Sequence, residues 1–358
     1  MKEFFKGKRV FITGHTGFKG SWLLKILINS GAIIRGYALE PNTTPNLFTL
    51  ANLSSQMDSI IGDIRDLEKL KKAFLDFKPE IAIHLAAQPL VRESYLDPHY
   101  TYETNVMGTV NFLECVRASD TVKSVLNVTT DKVYFNIEQD YGYRETDVLN
   151  GYDPYSNSKS CSELVTDSYK RSFFQNRKVA ISTARAGNVI GGGDFSLDRI
   201  IPDCVKAAER NTPIIIRNPY SIRPYQHVIE PLYAYLLIVY KQYIFHTFSG
   251  SYNVGPDDKD CVETSKLVDL FCESWKEGLT WINQHDGGPH EANFLKLDST
   301  KIKNTLGWTP LWNIEEAIKK TVEWTKVYVH QGDIKKIMDS QIESYEKKIN
   351  RLFQGENI

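Results

Sequence analysis

Tyr155 and Lys159 are spaced so that they could carry out acid–base chemistry together. Residues four apart on a helix project from the same face, so the phenol and the ammonium would be neighbours. A tyrosine with its ordinary pKa of about 10 is a poor base at neutral pH, but adjacent positive charge stabilises the phenolate. Tyr155 would then accept the proton of a substrate hydroxyl while a hydride leaves the same carbon.

Polar residues that follow a predicted strand strengthen this interpretation. The run at 124–129 is typical of a buried strand, and Thr130, Asp131 and Lys132 come directly after it. A glycine-rich loop also stands near the start of the chain. The YxxxK spacing alone is common by chance, but in this context it favours a catalytic role.

The glycine-rich loop comes immediately after the first predicted strand, at 9–13, and has the spacing TGxxGxxG. Such glycines allow a tight turn, a close approach of the backbone to a pyrophosphate, and close packing of the next helix on the sheet. The amino terminus of that helix attracts the anion. At the first strand of a βαβ unit, this loop predicts dinucleotide binding. The residues expected to hold the dinucleotide are Gly14, Thr16, Gly17, Phe18 and Gly20.

Acidic residues after the second and third predicted strands bear on the choice between NAD and NADP. Glu40 is a displaced candidate for binding the hydroxyls of the adenosine ribose. Asp63 is better placed to accept a hydrogen bond from the adenine amino group, and Ile64 follows it as a further contact. The sequence has no evident pair of arginines for a 2′-phosphate. The pattern therefore favours NAD.

The elements that must position these residues alternate between short β-rich runs and longer helix-period segments. Such alternation gives a parallel sheet covered by helices on both faces. We predict an α/β fold in which a doubly wound parallel sheet of the Rossmann type is joined to a smaller α/β substrate domain. The predicted division is an NAD-binding domain at 1–185, to which 228–255 returns, a substrate domain at 186–330 and a helical tail at 331–358.

Composition narrows the range of partners. The 358 residues include 43 Lys and Arg against 44 Asp and Glu, so a formal charge of −1 provides no field that would recruit nucleic acid or an anionic membrane. No apolar run approaches the roughly 20 residues that a spanning helix needs. The five cysteines lack metal-ligand spacing, so no metal is expected. We expect a cytoplasmic protein that binds a small molecule, with no nucleic acid or membrane partner.

The order of the motifs resembles that of the extended short-chain dehydrogenase/reductases. These motifs are TGxxGxxG, HLAAQ at 84–88, TNVMGT at 104–109, the strand before Thr130, and YxxxK. Longer segments resemble the CDP-glucose 4,6-dehydratase family more specifically and extend over most of the chain. They are GHTGFKGSWL (14–23), HLAAQPLVR (84–92), TTDKVY (129–134), GYDPYSNSK (151–159), RAGNVIGGGDF (185–195), IIIRNP with IRPYQHV (214–228) and PHEANFLKLD (289–298).

The resemblance implies a hydro-lyase that converts CDP-glucose to CDP-4-keto-6-deoxyglucose for deoxysugar and cell-surface polysaccharide synthesis. In that family NAD takes the C4 hydride, water is lost across C5 and C6, and the hydride returns to C6. Carried onto this sequence, Tyr155 deprotonates the C4 hydroxyl and Thr130 hydrogen-bonds the same oxygen. Lys159 holds the nicotinamide ribose, and Asp131 protonates the departing C6 hydroxyl.

Lys132 stands where dehydratases of the dTDP and GDP types carry a glutamate that acts as the C5 base, whereas CDP-type enzymes resemble this chain. A neutral lysine amine can act as a base. The role of Lys132 therefore stays open between that of C5 base and that of a charge that stabilises the enolate.

The resemblance also implies further cofactor contacts and an oligomer. Ala86 and Gln88, in the HLAAQ segment, would lie beside the cofactor, and Asn105 would help to order the tyrosine and the lysine. Asn105 could instead be an ordinary buried polar group. Helices that begin near Thr104 and Ser156 would pair across a homodimer or homotetramer.

Candidates for substrate binding lie in the second half of the chain. A guanidinium can grip a diphosphate through two hydrogen bonds, which makes Arg217 and Arg223 candidates. Arg223 resembles the family's diphosphate-binding arginine, whereas Arg217 could equally lie in a solvated turn. Asn188 is a further candidate for the diphosphate. His290 could reach the sugar nucleotide, although a surface loop is an equal explanation.

Two other functions share parts of this pattern. An epimerase or reductase on the same fold needs Tyr155 and Lys159 but no acid at position 131, so Asp131 and Lys132 argue against it. A regulator that binds NAD without catalysis usually has a broken YxxxK motif, and here the motif is intact.

Overall fold

Strands and helices alternate through the first half of the chain, in a computed structural model that describes residues 1–284 and 294–354. The strands are β1 (Arg9–Thr13), β2 (Ile33–Ala38), β3 (Asp58–Ile61), β4 (Ile81–His84), β5 (Ser124–Val128), β6 (Ala180–Ala186), β7 (Val189–Ile190), β8 (Ile214–Ile216), β9 (Ile222–Pro224), β10 (Gln226–His227), β11 (Ser251–Val254), β12 (Cys261–Glu263) and β13 (Trp281–Asn283).

The α-helices cover both faces of the sheet and build the rest of the molecule. They are α1 (Lys2–Phe5), α2 (Phe18–Asn29), α3 (Leu47–Leu50), α4 (Leu67–Phe77), α5 (Val91–Leu96), α6 (Pro98–Tyr102), α7 (Gly108–Ala118), α8 (Pro154–Tyr169), α9 (Ile200–Arg210), α10 (Ile229–Ile244), α11 (Thr264–Trp275), α12 (Thr300–Leu306), α13 (Ile314–Val329) and α14 (Ile334–Gln354). A π-helical turn, Glu103–Met107, leads into α7, and another, Lys170–Phe174, extends α8.

The central sheet has seven strands in the order β3-β2-β1-β4-β5-β6-β11, and every neighbouring pair is parallel. This confirms the predicted doubly wound α/β fold. Because the strands are parallel, their carboxyl ends meet at one edge, which is where such sheets bind ligands. The loops after β1, β4, β5 and β6 therefore meet at this edge.

Alternate residues of the central strands face two separate cores. Val10 and Ile12 of β1 contribute to a core shared with α2, α10 and α14, whereas Phe11 points to a core shared with α4 and α7. Each fully buried apolar side chain contributes about 1.5–3 kcal/mol. Burial on both faces explains why these strands are almost continuously apolar rather than alternating.

The chain after β6 forms three two-stranded sheets, which pair β7 with β10, β8 with β13 and β9 with β12. A third core includes Ile201 of α9, Leu267 of α11 and Ile318 of α13. The strand β11 returns to the edge of the central sheet beside β6. The domain boundaries drawn from the sequence stay a prediction. Within the described residues, no helix is both long enough and apolar enough to cross a membrane.

Candidate active site

The cofactor loop, residues 13–20, packs tightly against the loop after β4. Gly14 has a φ of +74°, and a Cβ there would lie 2.7 Å from the Ala86 nitrogen. A Cβ at Gly20 would lie 2.3 Å from the Gly14 oxygen, so α2 could not approach the turn. At Gly17 a Cβ would meet only the Gly14 oxygen, at 3.5 Å. The protein's own packing thus requires glycine at the first and third positions.

Thr16 and Phe18, predicted to contact the cofactor, also hold the loop in place. The Thr16 hydroxyl is buried and donates to the Leu39 oxygen over 2.8 Å, which ties the loop to the end of β2. Phe18 is the first residue of α2, and its ring would lie 3.3 Å from a Cβ at Gly191. The start of α2 therefore lies against the glycine-rich segment 191–193.

Asp63 and Ile64 follow β3, at the edge of the sheet where adenine was expected. The Arg65 guanidinium lies 2.8 Å from Asp63, and this hydrogen-bonded pair lowers the pKa of the carboxyl. The Ile64 oxygen accepts a hydrogen bond from Asn111 over 3.0 Å. The Asp63 carboxylate is thus held in place by its neighbour Arg65 and stays partly exposed.

Asn105 connects the loop after β4 to the helix that carries Tyr155 and Lys159. Its amide donates to the Gln88 oxygen (3.0 Å) and to the Ser158 hydroxyl (2.9 Å), and its oxygen accepts from the Gln88 nitrogen (2.8 Å). Asn105 is buried in the π-helical turn before α7. These contacts give it a positioning role, since it links the cofactor side of the site to α8.

Local sequence explains why α8 begins beside the end of β5. The Asp153 side chain caps the helix by accepting from the Ser156 nitrogen over 2.9 Å, and Pro154 occupies the first helical position, where its missing N–H costs nothing. Tyr155 and Lys159 therefore lie in the first two turns of α8. The pairing of these residues on one helical face is as the spacing predicts.

The Tyr155 phenol is half-buried, and this burial raises its pKa to about 12, although a hydrogen bond with Thr130 lowers it in part. Among charged neighbours, Asp131 raises the pKa of the phenol and the cation of Arg199 lowers it. Lys159 is buried and donates to the Val128 oxygen over 3.4 Å. Burial, and then repulsion by Lys19, lowers the pKa of Lys159 to about 8, while Glu163 opposes this shift.

Thr130 connects the phenol of Tyr155 with the carboxyl of Asp131. Its hydroxyl donates to Asp131 Oδ1 over 2.9 Å and is the group that hydrogen-bonds Tyr155. Asp131 is 1% exposed, and within the described residues its Oδ2 has no hydrogen-bond partner. Lys132 Nζ lies 3.7 Å from Asp131 Oδ1, and its side chain is 31% exposed. Two acid–base groups therefore share one threonine at the end of β5.

A buried ion pair lies behind the catalytic residues, and sequence reasoning missed it. Glu163 Oε2 is 3.0 Å from the Arg185 guanidinium and accepts from the Thr183 hydroxyl over 2.7 Å. Thr129, directly before Thr130, donates to the other oxygen of Glu163. This network joins β5, β6 and α8. Glu163 is four residues after Lys159, so the helical repeat was the signal that could have revealed it.

Three further charged residues converge on the site without having been predicted. Arg199 pairs with Asp194 over 2.9 Å and acts electrostatically on Tyr155. Lys19, in the cofactor loop, lies within electrostatic range of Asp131, Lys132, Lys159, Asp194 and Arg199. Lys19 stands inside the glycine motif itself, so its position was visible in the sequence.

The four residues predicted to bind the substrate differ in their surroundings. Asn188 follows β6 at the sheet edge, and its buried Oδ1 has no hydrogen-bond partner in the described part of the chain. Arg223 is buried on β9. Arg217 instead pairs with Asp198 at 2.5 Å and Asp203 at 3.2 Å, so its charge is already compensated. His290 lies outside the described residues.

Within the described residues, no group of three histidine, cysteine, aspartate or glutamate side chains could hold a metal ion. The acid–base groups found at the sheet edge are Thr130, Asp131, Tyr155 and three lysines. The chemistry that these groups offer is proton transfer to and from a bound substrate.

The parallel sheet, the glycine loop after its first strand and the Tyr155–Lys159 pair on α8 define a short-chain dehydrogenase/reductase. More narrowly, the chain belongs to the GDP-mannose 4,6-dehydratase family, whose family model matches residues 11–321. This confirms the resemblance to nucleotide-sugar dehydratases found in the sequence.

Individual relatives support the same placement. The CDP-glucose 4,6-dehydratase of Salmonella typhimurium is 48% identical over 350 residues, which cover 96% of this chain and 98% of that protein. The dTDP-glucose 4,6-dehydratase of Xanthomonas campestris is 27% identical over 341 residues, which cover 87% of this chain and 92% of the relative. Nearly the whole chain is therefore shared with enzymes of nucleotide-sugar metabolism.

Solved structures share the fold. The UDP-glucose 4-epimerase of Thermotoga maritima, solved with UDP-glucose, has a TM-score of 0.77 and 22% identity, and the match covers 90% of this chain and 99% of that one. The dTDP-glucose 4,6-dehydratase of Bacillus anthracis, solved in complex with NAD, has a TM-score of 0.74 and 21% identity, with 89% and 97% covered.

Proposed function

We propose that this protein is an NAD-dependent hydro-lyase that converts CDP-glucose to CDP-4-keto-6-deoxyglucose. The observation that carries the proposal is the acid–base chain at the end of β5, in which Thr130 links Tyr155 to the buried Asp131. An oxidation at one sugar carbon needs a base, and the loss of water from a neighbouring carbon needs an acid. An epimerase needs only the first of these.

The residues at the carboxyl-terminal edge of the central sheet fit NAD. Gly14 and Gly20 shape a turn whose backbone faces the amino terminus of α2, and Gly17 has no steric need for glycine within the protein, which leaves its role to a bound pyrophosphate. Lys159 would hold the nicotinamide ribose, and Asp63 the adenine. When bound, NAD accepts the C4 hydride and later returns it to C6.

Tyr155 would remove the proton from the C4 hydroxyl. The cation of Arg199 and the hydrogen bond with Thr130 both lower the pKa of the phenol, against the effect of burial. The Thr130 hydroxyl would also orient the substrate oxygen. Lys159, one helical turn further on, adds a positive charge. Its ammonium loses a proton more readily than an ordinary lysine, since the pKa of Lys159 is lowered to about 8.

Asp131 would supply the proton that the departing C6 hydroxyl needs to leave as water. Its unpartnered Oδ2 is the atom available for this transfer, and Oδ1 is held by Thr130. Lys132 lies beside the carboxyl at 3.7 Å, where its charge can stabilise negative charge that develops on the substrate.

Arg223 and Asn188 would bind the substrate diphosphate, since Arg223 is buried on β9 and the Asn188 backbone oxygen accepts from the nitrogen of Gln226, in the strand that follows β9, over 3.0 Å. Arg217 is not part of this proposal, because Asp198 and Asp203 already bind its guanidinium. The choice of cytidine as the base rests on the 48% identity to a CDP-glucose 4,6-dehydratase.

We also propose a cytoplasmic homodimer or homotetramer. Supporting the oligomer, exposed apolar side chains occur on α5 to α8, a stretch that includes the helices near Thr104 and Ser156, which the family resemblance would pair between subunits. They are Tyr95, Leu96, Tyr102, Met107 and Leu164.

Incubation of the purified protein with CDP-glucose, dTDP-glucose and GDP-mannose in parallel tests the reaction and the base preference together. Mass spectrometry should find loss of one water from CDP-glucose, without accumulation of reduced nicotinamide. Tyr155→Phe is the inactive control. An isomerised sugar of unchanged mass would indicate an epimerase, and no change with any substrate would favour an NAD-binding regulator.

A further inference from the structure

Lys19 is a lysine inside the cofactor loop, between Gly17 and Gly20. Its side chain is half-buried, and it forms no hydrogen bond or ion pair with the residues that the structure describes. A lysine that is partly buried without a partner loses hydration that nothing replaces. The placement therefore calls for a functional explanation.

The surroundings of Lys19 belong to the catalytic centre. Phe18 packs against Gly191, and Trp22 donates to the Gly192 oxygen over 3.0 Å, so the first turn of α2 lies against the segment that leads to Asp194 and Arg199. Asp131, Lys132 and Lys159 act on Lys19 from the end of β5 and from α8. Groups from three elements thus converge on one amine.

These surroundings increase the fraction of Lys19 that is a neutral amine. Burial, and then the cation of Arg199, lowers the pKa of Lys19 to about 8, with Lys132 acting in the same direction. The carboxylates of Asp131 and Asp194 oppose this shift. At such a pKa roughly a tenth of the side chain is unprotonated at pH 7, and more at pH 8. A free amine is what a proton-abstracting lysine must present.

The other two lysines of the site are committed to partners. Lys132 forms an ion pair with Asp131 at 3.7 Å and is the most exposed group of the catalytic run. Lys159 donates to the Val128 oxygen. Lys19 has neither kind of contact in the described structure, so its nitrogen is available to a substrate.

We propose that Lys19 is the base that removes the C5 proton during elimination, an assignment that rests on the proposed dehydratase function. The neutral Nζ of Lys19 takes the proton, and the C5–H electron pair forms the enolate of the 4-keto sugar. The enolate then reforms the carbonyl, the C5–C6 double bond forms, and the C6–O bond breaks. The proton that Tyr155 took from the C4 hydroxyl passes through the Thr130 hydroxyl to Asp131, which gives it to the leaving hydroxyl, so that water departs and Tyr155 and Asp131 both return to their ionised forms. When C6 is reduced, the Lys19 ammonium returns its proton to C5.

Two substitutions of Lys19 distinguish an amine that accepts a proton from a cation that acts only through its charge. Lys19→Met keeps the length of the side chain without the amine, and Lys19→Arg keeps the positive charge but cannot deprotonate at ordinary pH. Lys132→Met and Lys132→Arg test the rival base, and the exposed Lys72→Met controls for loss of a charge. Rapid-mixing absorbance follows reduced nicotinamide, and mass spectrometry in D2O follows water loss and deuterium at C5.

We expect both Lys19 variants to oxidise C4, to accumulate reduced nicotinamide and 4-keto sugar, and to eliminate water at least about 100-fold more slowly than wild type, in the range of general-base effects. The wild-type elimination rate should rise with pH around 8, and Lys19→Arg should lose this rise.

Normal elimination by Lys19→Arg would assign Lys19 an electrostatic role and overturn the proposal. Failure of both variants to form reduced nicotinamide would assign it to binding and overturn it as well. Loss of elimination in Lys132→Arg, but not in Lys19→Arg, would make Lys132 the base. If wild type did not dehydrate CDP-glucose, the proposed function itself would fail.

Discussion

Asp131 is the group whose proton decides whether water leaves the substrate. Oδ1 is fixed by the Thr130 hydroxyl and Oδ2 faces no partner in the described structure, so one oxygen positions the carboxyl while the other can react. Burial at 1% exposure keeps bulk water from replacing it as the acid.

Asp131→Asn tests this role, because an amide has the same shape but cannot act as an acid. We expect dehydration to fall by about 100-fold or more, while oxidation at C4 continues and reduced nicotinamide accumulates. Absorbance measures the oxidation at C4, and mass spectrometry measures the loss of water. Asp120→Asn, at a fully exposed position, is the matched control and should behave as wild type. Unimpaired dehydration by Asp131→Asn would remove Asp131 from the mechanism.

Glu163 stabilises the residues behind the site, because it neutralises the buried guanidinium of Arg185. Glu163→Gln would leave that charge uncompensated, and we expect the free energy of unfolding to fall by about 3–5 kcal/mol. Urea denaturation measures the change. The double variant Glu163→Gln with Arg185→Met should be more stable than the single one. Equal stability of Glu163→Gln and wild type would show that the pair does not matter.

In the cofactor loop, which joins β1 to α2, the fold itself requires glycine at Gly14, whereas at Gly17 only a bound ligand would require it. Ala at Gly14 would adopt a left-handed conformation and clash with Ala86, so we expect Gly14→Ala to destabilise the protein by at least about 1–2 kcal/mol. Gly17→Ala has room within the protein and should unfold at the wild-type temperature, yet bind NAD at least tenfold more weakly. Thermal unfolding and calorimetric titration with NAD measure these effects. Wild-type affinity in Gly17→Ala would contradict a pyrophosphate contact there.

Glu230 of α10 ties the carboxyl-terminal helix to the body of the protein. Its carboxyl accepts from the Leu311 and Trp312 nitrogens (2.9 and 2.6 Å) and from the Tyr345 hydroxyl (2.6 Å). Burial raises the pKa of this carboxyl to about 7, against about 4.5 in an unfolded chain. The folded state therefore binds the extra proton between these values.

The raised pKa predicts a pH-dependent stability. The contribution of Glu230 is fully present below pH 4.5 and is lost as the pH rises through 7, by on the order of 3 kcal/mol. Glu230→Gln keeps the acceptor for the backbone and should lack this decline. Urea unfolding of both proteins at pH 5 and pH 8 measures the difference. Parallel pH profiles for the two proteins would contradict the raised pKa.

The sequence predicted those elements whose signals are local. The strands predicted at 9–13 and 124–129 correspond to β1 (Arg9–Thr13) and β5 (Ser124–Val128), because an apolar run marks both. The pairings β8 with β13 and β9 with β12 could not be predicted, since they join distant short runs without a periodic signal. The effect of Arg199 on the Tyr155 phenol could not be predicted either, because the approach of Arg199 depends on the fold of 187–199.

At the scale of the whole molecule, an exposed apolar surface on α5 to α8 requires an explanation. Met107 and Leu164 lie on neighbouring elements and are about half exposed. Surfaces of this kind mark protein contacts. We expect wild type to elute as a dimer or tetramer and Leu164→Arg to shift toward the monomer. Light scattering coupled to size exclusion measures the mass. Leu197→Arg, at another exposed leucine, is the control, and a monomeric wild type would contradict the proposed assembly.

The fate of deuterium in CDP-glucose labelled at C4 reports directly on 4,6-dehydration. An enzyme that oxidises C4, eliminates water and reduces C6 within one active site carries the label from C4 to C6. We therefore predict a product that has lost one water and retains deuterium at C6, without net formation of reduced nicotinamide. Release of the label, or a product that has lost no water, would contradict the proposed 4,6-dehydration.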